Sequence, residues 1–136
     1  MTGRRAAFAA AAESLAGTPF RFRGRDPRNG LDCVGLVIVA LHRIGSALPP
    51  VPPYSMRQRD FSPMLTAATA AGFESVDDVP WPGDLLLLRA GPAQPHLAIL
   101  AMNGGVIHAH AGLGRVVLTP PPCPLPIARH WRLRED

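Results

Sequence analysis

Cysteine and histidine are the residues of this chain with the most chemistry to offer, and they are unevenly placed. Cys123 is enclosed in the proline-rich run TPPPCPLP, with no base or helix end close to it in sequence, and reads as inert. Cys33 instead stands directly behind Asp32 and at the head of the apolar run VGLVIVAL. In mid-run it would be core filling, since a free thiol packs as a small hydrophobe. At the head it falls in the first turn of a predicted helix. There the unpaired amides and the helix dipole amount to about half a positive charge and favour the thiolate. A nucleophile also needs a proton acceptor. His96 begins the strand-like segment HLAIL, and His108 and His110 sit two residues apart in VIHAHAG, on one face of an extended chain. Cys33, His96 and His108 as a zinc set would lack an organised fourth ligand and the usual short pair spacing, so no metal or other cofactor is expected. The bland alternative is a buried helix-start cysteine and strand-end histidines bonded to backbone.

The elements that must position these groups divide the chain in two. Residues 4 to 16 are helix-forming and stop at Gly17 and Pro19, and GTPFRFRGRDPRNG is a loop rich in turn residues. Asp32 is a good N-cap and Gly45 a good stop for a helix over residues 33 to 44. Prolines forbid regular structure from Ser46 to Pro53, and DFSPMLTAATAAGF reads as a third, shorter helix. Beyond it the period changes. WPGDLLLLRA, HLAILAM, GVIHAHA, GRVVLT and IARHWRLRE are short runs separated by Gly, Pro and Asn, as in an antiparallel sheet of about five strands. The expected fold is α+β, one domain over residues 1–136, with N-terminal helices packed on a C-terminal antiparallel sheet. His42 reads as a partly exposed helix residue, His130 as outward-pointing if Trp131 points in, and the Asp77–Asp78 pair as solvated loop.

Composition limits the partners. The chain has 136 residues, 47% hydrophobic and 18% charged, which excludes a disordered chain, and no apolar stretch approaches a membrane span. All 14 basic residues are arginines, giving a net charge of +4. They are scattered, as at Arg21, Arg23, Arg25 and Arg28, then Arg57 and Arg59, without the interleaved aromatics of single-strand binders. A solvated surface is expected, with neither nucleic acid nor membrane as partner. MTGRRAAFAAAAESLAG imitates a signal peptide, but its apolar part is short, alanine-dominated and interrupted by Glu13, so it is read as the first helix. The expectation is a chain made in the cytoplasm without its own secretion signal.

A nucleophile on a helix N-terminus, a base on one strand and an orienting group on the next make up the arrangement of papain-like hydrolases. The strings GTPFRFRG, LDCVGLV, PGDLLLL, PHLAIL and VIHAHAG, in that order and spacing, resemble the NlpC/P60 family of cell-wall cysteine peptidases from about Ala10 to Trp131. Within it the likeness is to the short versions found in phage-tail and gene-transfer-agent gene clusters. The resemblance implies a papain-like fold and hydrolysis of peptidoglycan stem peptides, typically between D-glutamate and diaminopimelate. It makes Cys33 the nucleophile, His96 the general base, His108 the residue that orients His96, and the Cys33 N–H an oxyanion donor. It also implies phage-like tail proteins as partners and a site of action in the periplasm. Two positions depart from the family's pattern. Phe20 stands where a tyrosine hydroxyl aids the oxyanion, and Val34 stands where a serine joins Asp32 in binding the stem peptide's free amine. Phe20, Asp32 and Val34 are therefore the substrate-binding candidates, and His110 is given a surface or cleft role without chemistry. A non-catalytic stem-peptide binder and an acyltransferase on the same scaffold stay open.

Sheet geometry supplies a separate requirement. Asn103-Gly104 marks a hairpin, and a plain two-residue turn there would set Ile99 opposite His108 and send His96 and His108 to opposite faces. Bringing them together requires an odd offset, from a three-residue Asn103-Gly104-Gly105 loop with a glycine bulge or from a bulge elsewhere in the hairpin.

Overall fold

The computed structural model describes residues 3–46, 62–89 and 95–135. Two helices come first. α1 (Arg4–Glu13) buries Phe8, Ala9 and Ala12, and α2 (Cys33–Arg43) buries Leu36, Val37, Ala40 and Leu41 at the spacing of one helical face. Asp32 caps α2 by accepting the Gly35 N–H at 2.8 Å. At the other end Gly45, at φ 81°, and Ser46 donate back to the carbonyls of His42 and Leu41. Between the helices lies a two-stranded ribbon, β1 (Arg25–Asp26) and β2 (Gly30–Leu31), which delivers the chain into Asp32 and Cys33. α3 (Ser62–Ala70) is the third helix. The proline run expected to be irregular, along with Arg57 and Arg59, lies outside the described residues.

The rest of the chain forms β3 (Phe73–Val76), β4 (Leu85–Arg89), β5 (Pro95–Leu100), β6 (Val106–His110), β7 (Arg115–Thr119) and β8 (Ile127–Leu133). They make one antiparallel sheet in the order β3-β8-β4-β5-β6-β7. Five of the six are the runs legible in the sequence. The sixth, β3, took its first residue from the expected third helix, whose pattern it truncates. Leu85, Leu97, Ile99, Ile107, Ala109 and Val116 meet the helices on one face in the main core. Leu86, Leu88, Ala98, Leu100 and Val106 form a smaller cluster with Cys123 and Leu125. Each fully buried leucine here contributes about 1.5–3 kcal/mol.

β8 runs between β3 and β4, and His130 lies opposite the fully buried Leu86 on the face of the smaller cluster, which overturns the expectation for it: both His130 and Trp131 are buried. Nor is Asp78 simply solvated. Arg132 holds it through two hydrogen bonds of 2.9 and 3.0 Å, reaches the fully buried Asp84 at 3.0 Å and lies 4.0 Å over the Trp81 ring. The two carboxylates raise the Arg132 pKa further, and Arg132 in turn lowers that of Asp78. This network ties β8 to the turn that starts β4. His42 is exposed, as expected.

Candidate active site

Between β5 and β6 the ladder is short. Ile99 pairs with Ile107 and Leu100 with Val106, and the chain turns through Met102, Asn103 and Gly104, with Ala101 and Gly105 bonded across the neck. Gly104 takes φ 87°, a left-handed conformation that suits glycine. The hairpin therefore has the odd loop the histidine pair requires, placed one residue earlier than Asn103-Gly104-Gly105. His96 lies opposite Leu88, and so on the face of the smaller cluster. His108 shares that face through Val106.

The two rings meet. His96 Nε2 lies 2.9 Å from His108 Nδ1, with centroids 5.1 Å apart and planes at 74°. His108 Nε2 in turn lies 2.9 Å from Thr119 Oγ1. His110 stands edge-on to His108 at 5.6 Å, and its Nδ1 accepts the Leu113 N–H at 3.0 Å. Burial first, then the neighbouring histidines, pushes His96 down to about 4 from 6.5, and burial and His110 lower His108 as well. Both rings are neutral near pH 7.

Cys33 approaches from the helix side. Backbone N–H groups alternate across a strand, and the Leu100 N–H donates to Asp84 while the Ala101 N–H donates towards β6. The Leu97 N–H consequently points to the β6 side, beyond the last pair that β6 makes with β5. There it meets the Cys33 sulfur, one residue from His96, and together with the N–H groups of Val34 and Cys33 it favours the thiolate. Burial and then the Asp32 carboxylate outweigh them and push the thiol up to about 11 from 9.0. The expected thiolate at the helix start is thereby corrected: the resting group is a thiol, because desolvation and an adjacent carboxylate exceed what the helix terminus supplies. Cys123, also a free thiol, lies at the smaller cluster with Sγ 3.3 Å from the Leu125 carbonyl.

The substrate-binding candidates surround Cys33 in ways the sequence did not reveal. Asp32 is 3% exposed. Its Oδ1 accepts from Gly35 N–H at 2.8 Å and from Arg25 Nη1 at 3.1 Å, and its Oδ2 from Arg23 N–H at 2.8 Å. Both of its oxygens are thus already engaged by groups of this chain. Val34 is buried in the main core. Phe20, half-buried, packs on that core beside Leu31, two residues from the thiol, and carries no hydroxyl. Sequence reasoning missed Arg25 and Thr119. A threonine ending a strand carries no signal of its own until the β6–β7 register is known.

The Leu97 N–H thus brings the Cys33 sulfur to the strand that carries His96, and a thiol at a helix start and paired imidazoles are the groups that acyl transfer through a thioester uses. The sequence model of the NlpC/P60 family matches residues 17–124. No curated protein sequence matches the chain. Among solved structures, NlpC1 from Trichomonas vaginalis is similar with a TM-score of 0.72 at 18% identity, covering 98% of this chain and 45% of that one. The peptidoglycan hydrolase RipB from Mycobacterium tuberculosis gives 0.66 at 21% identity, covering 97% and 65%. The NlpC/p60 domain of the peptidoglycan hydrolase SagA gives 0.57 at 26% identity, covering 86% and 89%. The chain thus spans about half the length of the Trichomonas protein.

Proposed function

We propose, from the premise that the chain belongs to the NlpC/P60 family, that it is a cysteine peptidase hydrolysing peptidoglycan stem peptides, at bonds of the D-glutamyl-diaminopimelate type. The observation that carries this reading is the 2.9 Å His96–His108 bond beside a thiol held at the Leu97 N–H. In the proposed reaction Cys33 Sγ attacks the scissile carbonyl carbon while its proton passes to His96. The oxyanion is held by the Cys33 N–H. Collapse breaks the C–N bond, and the departing amine takes the proton from His96. Water then gives a proton to His96 and attacks the thioester, and as the C–S bond breaks His96 returns that proton to the Cys33 sulfur, which releases the carboxylic acid and restores the thiol. His108 orients His96 throughout.

Phe20 and Val34 leave the oxyanion and the substrate amine with fewer side-chain partners than the family pattern provides, so a reduced rate and a looser amine preference are part of the proposal. Carriage by a phage-like tail and action in the periplasm rest on the sequence resemblance alone. The competing reading is a stem-peptide binder that does not cut, and the raised Cys33 pKa is the observation that favours it. Incubation of the protein and of Cys33→Ala with defined muropeptides, read by mass spectrometry, separates them. Cleavage by the parent alone supports the peptidase and names the bond, and equal inertness with retained binding supports the binder.

A further inference from the structure

Resting on the roles proposed above for Cys33, His96 and His108, we infer that Thr119 is a positioning residue of this site. Its hydroxyl accepts the Nε2–H of His108 and so holds both imidazoles in the tautomer that leaves Nδ1 of His96 free to take the thiol proton. The sheet puts Thr119 in place. Val106 pairs with Thr119 and His108 with Val117, so His108 and Thr119 share a face as diagonal cross-strand neighbours. Thr119 Oγ1 then lies 2.9 Å from His108 Nε2, whose other nitrogen lies 2.9 Å from His96 Nε2.

A neutral imidazole carries one ring proton, which allows only two consistent patterns for rings in series. In one, each ring is protonated at Nε2, and the bonds run from His96 to His108 to Thr119. In the other, each is protonated at Nδ1, the bonds run the opposite way, and His96 Nδ1 is already occupied. Only the first has a base for the thiol. It requires an acceptor for the buried Nε2–H of His108, and the Thr119 hydroxyl at 2.9 Å can be that acceptor, whereas in the second pattern the same hydroxyl would donate. His110 does not compete, because its Nδ1 is taken by the Leu113 N–H. Without the hydroxyl, the first pattern strands a buried donor and the second only an acceptor, the less costly of the two, so the population shifts towards the second.

The test uses the full-length protein and its Thr119→Val, Thr119→Ala and Thr119→Ser variants. Ring-nitrogen NMR at pH 7.5 reads the tautomers of His96 and His108, and muropeptide hydrolysis is measured in parallel. The parent is expected to show Nε2–H at both rings. Thr119→Val and Thr119→Ala are expected to move His96 towards Nδ1–H and to lower kcat about tenfold at unchanged KM. Thr119→Ser is expected to restore both. Parent-like tautomers in Thr119→Val and Thr119→Ala overturn the inference, as does a Thr119→Ser that is no better than Thr119→Val. A parent that cuts nothing overturns the peptidase reading, while the NMR comparison still decides whether Thr119 sets the tautomers.

Discussion

Raising pH should expose the resting state of Cys33 directly. With the thiol at about 11 and not 9.0, the thiolate fraction at pH 7 falls from about 1% to about 0.01%, roughly a hundredfold. A thiolate of higher pKa is intrinsically more nucleophilic, with a Brønsted coefficient of about 0.4–0.5, which returns about a factor of ten. In a Cys123→Ser background, alkylation by iodoacetamide at pH 7 should therefore run about tenfold slower than for a simple thiol such as N-acetylcysteine. Its rate should rise about tenfold per pH unit up to pH 10 without a plateau, followed by intact mass. His96→Asn should leave this curve in place while abolishing hydrolysis, since His96 is not paired with a thiolate at rest. A plateau reached by pH 7 and lost in His96→Asn would refute the reasoning, because it would reveal a preformed thiolate–imidazolium pair.

Two further outcomes follow from the same packing. His96 titrates near 4 in the fold against 6.5 ordinarily, so the unfolded chain takes up its proton first as pH falls. The associated stability is complete above pH 6.5 and lost towards pH 4. At about 1.4 kcal/mol per pH unit the ceiling is roughly 3 kcal/mol, and residual solvent contact brings the expectation to about 2 kcal/mol. Urea midpoints at pH 7.5 and 4.5 should show that loss in the parent and a correspondingly smaller one in His96→Asn, and equal losses would count against the burial argument. Gly35→Ala sets a Cβ 2.0 Å from the Gly24 carbonyl oxygen, a backbone atom that cannot swing away. A stability loss of about 2–3 kcal/mol in urea unfolding is expected, and an unchanged midpoint would mean that the loop ahead of Cys33 yields more easily than its contacts imply.

The α2 boundaries, Asp32 as cap and the five long strands were legible because each rests on local chemistry: a carboxylate before an apolar face, a glycine after it, turn residues between β-rich runs. So was the demand for an odd β5–β6 loop, since side-chain alternation makes it arithmetic. What stayed hidden depends on contacts between distant segments. β3 has four residues and follows directly on α3, too short to declare its own period. His130 was misjudged because an alternation rule assumes one open face, and the face that His130 shares with Leu86 is covered as well. The Cys33 thiol was misjudged because a helix terminus is visible in sequence, whereas the depth of burial around the sulfur is not. Arg25 looked like one more solvated arginine of a basic loop until the β1–β2 ribbon turned it onto Asp32.

These hidden contacts have a common electrostatic consequence. The nearest carboxylate, Asp32, is tied to Arg25 at 3.1 Å; the imidazole series ends in a hydroxyl instead of a carboxylate; and the clustered histidines oppose one another's protonation. The opening between β5 and β6 is therefore kept neutral at rest. Transfer of the thiol proton to His96 would create both charges together, each the other's principal stabiliser. Their attraction strengthens as water leaves, because the same separation is worth several times more at low dielectric than in bulk solvent. Filling the opening with a peptide removes that water. On this account a neutral resting pair and a working nucleophile are compatible: ionisation is deferred to the complex, where the carbonyl to be attacked is already in place.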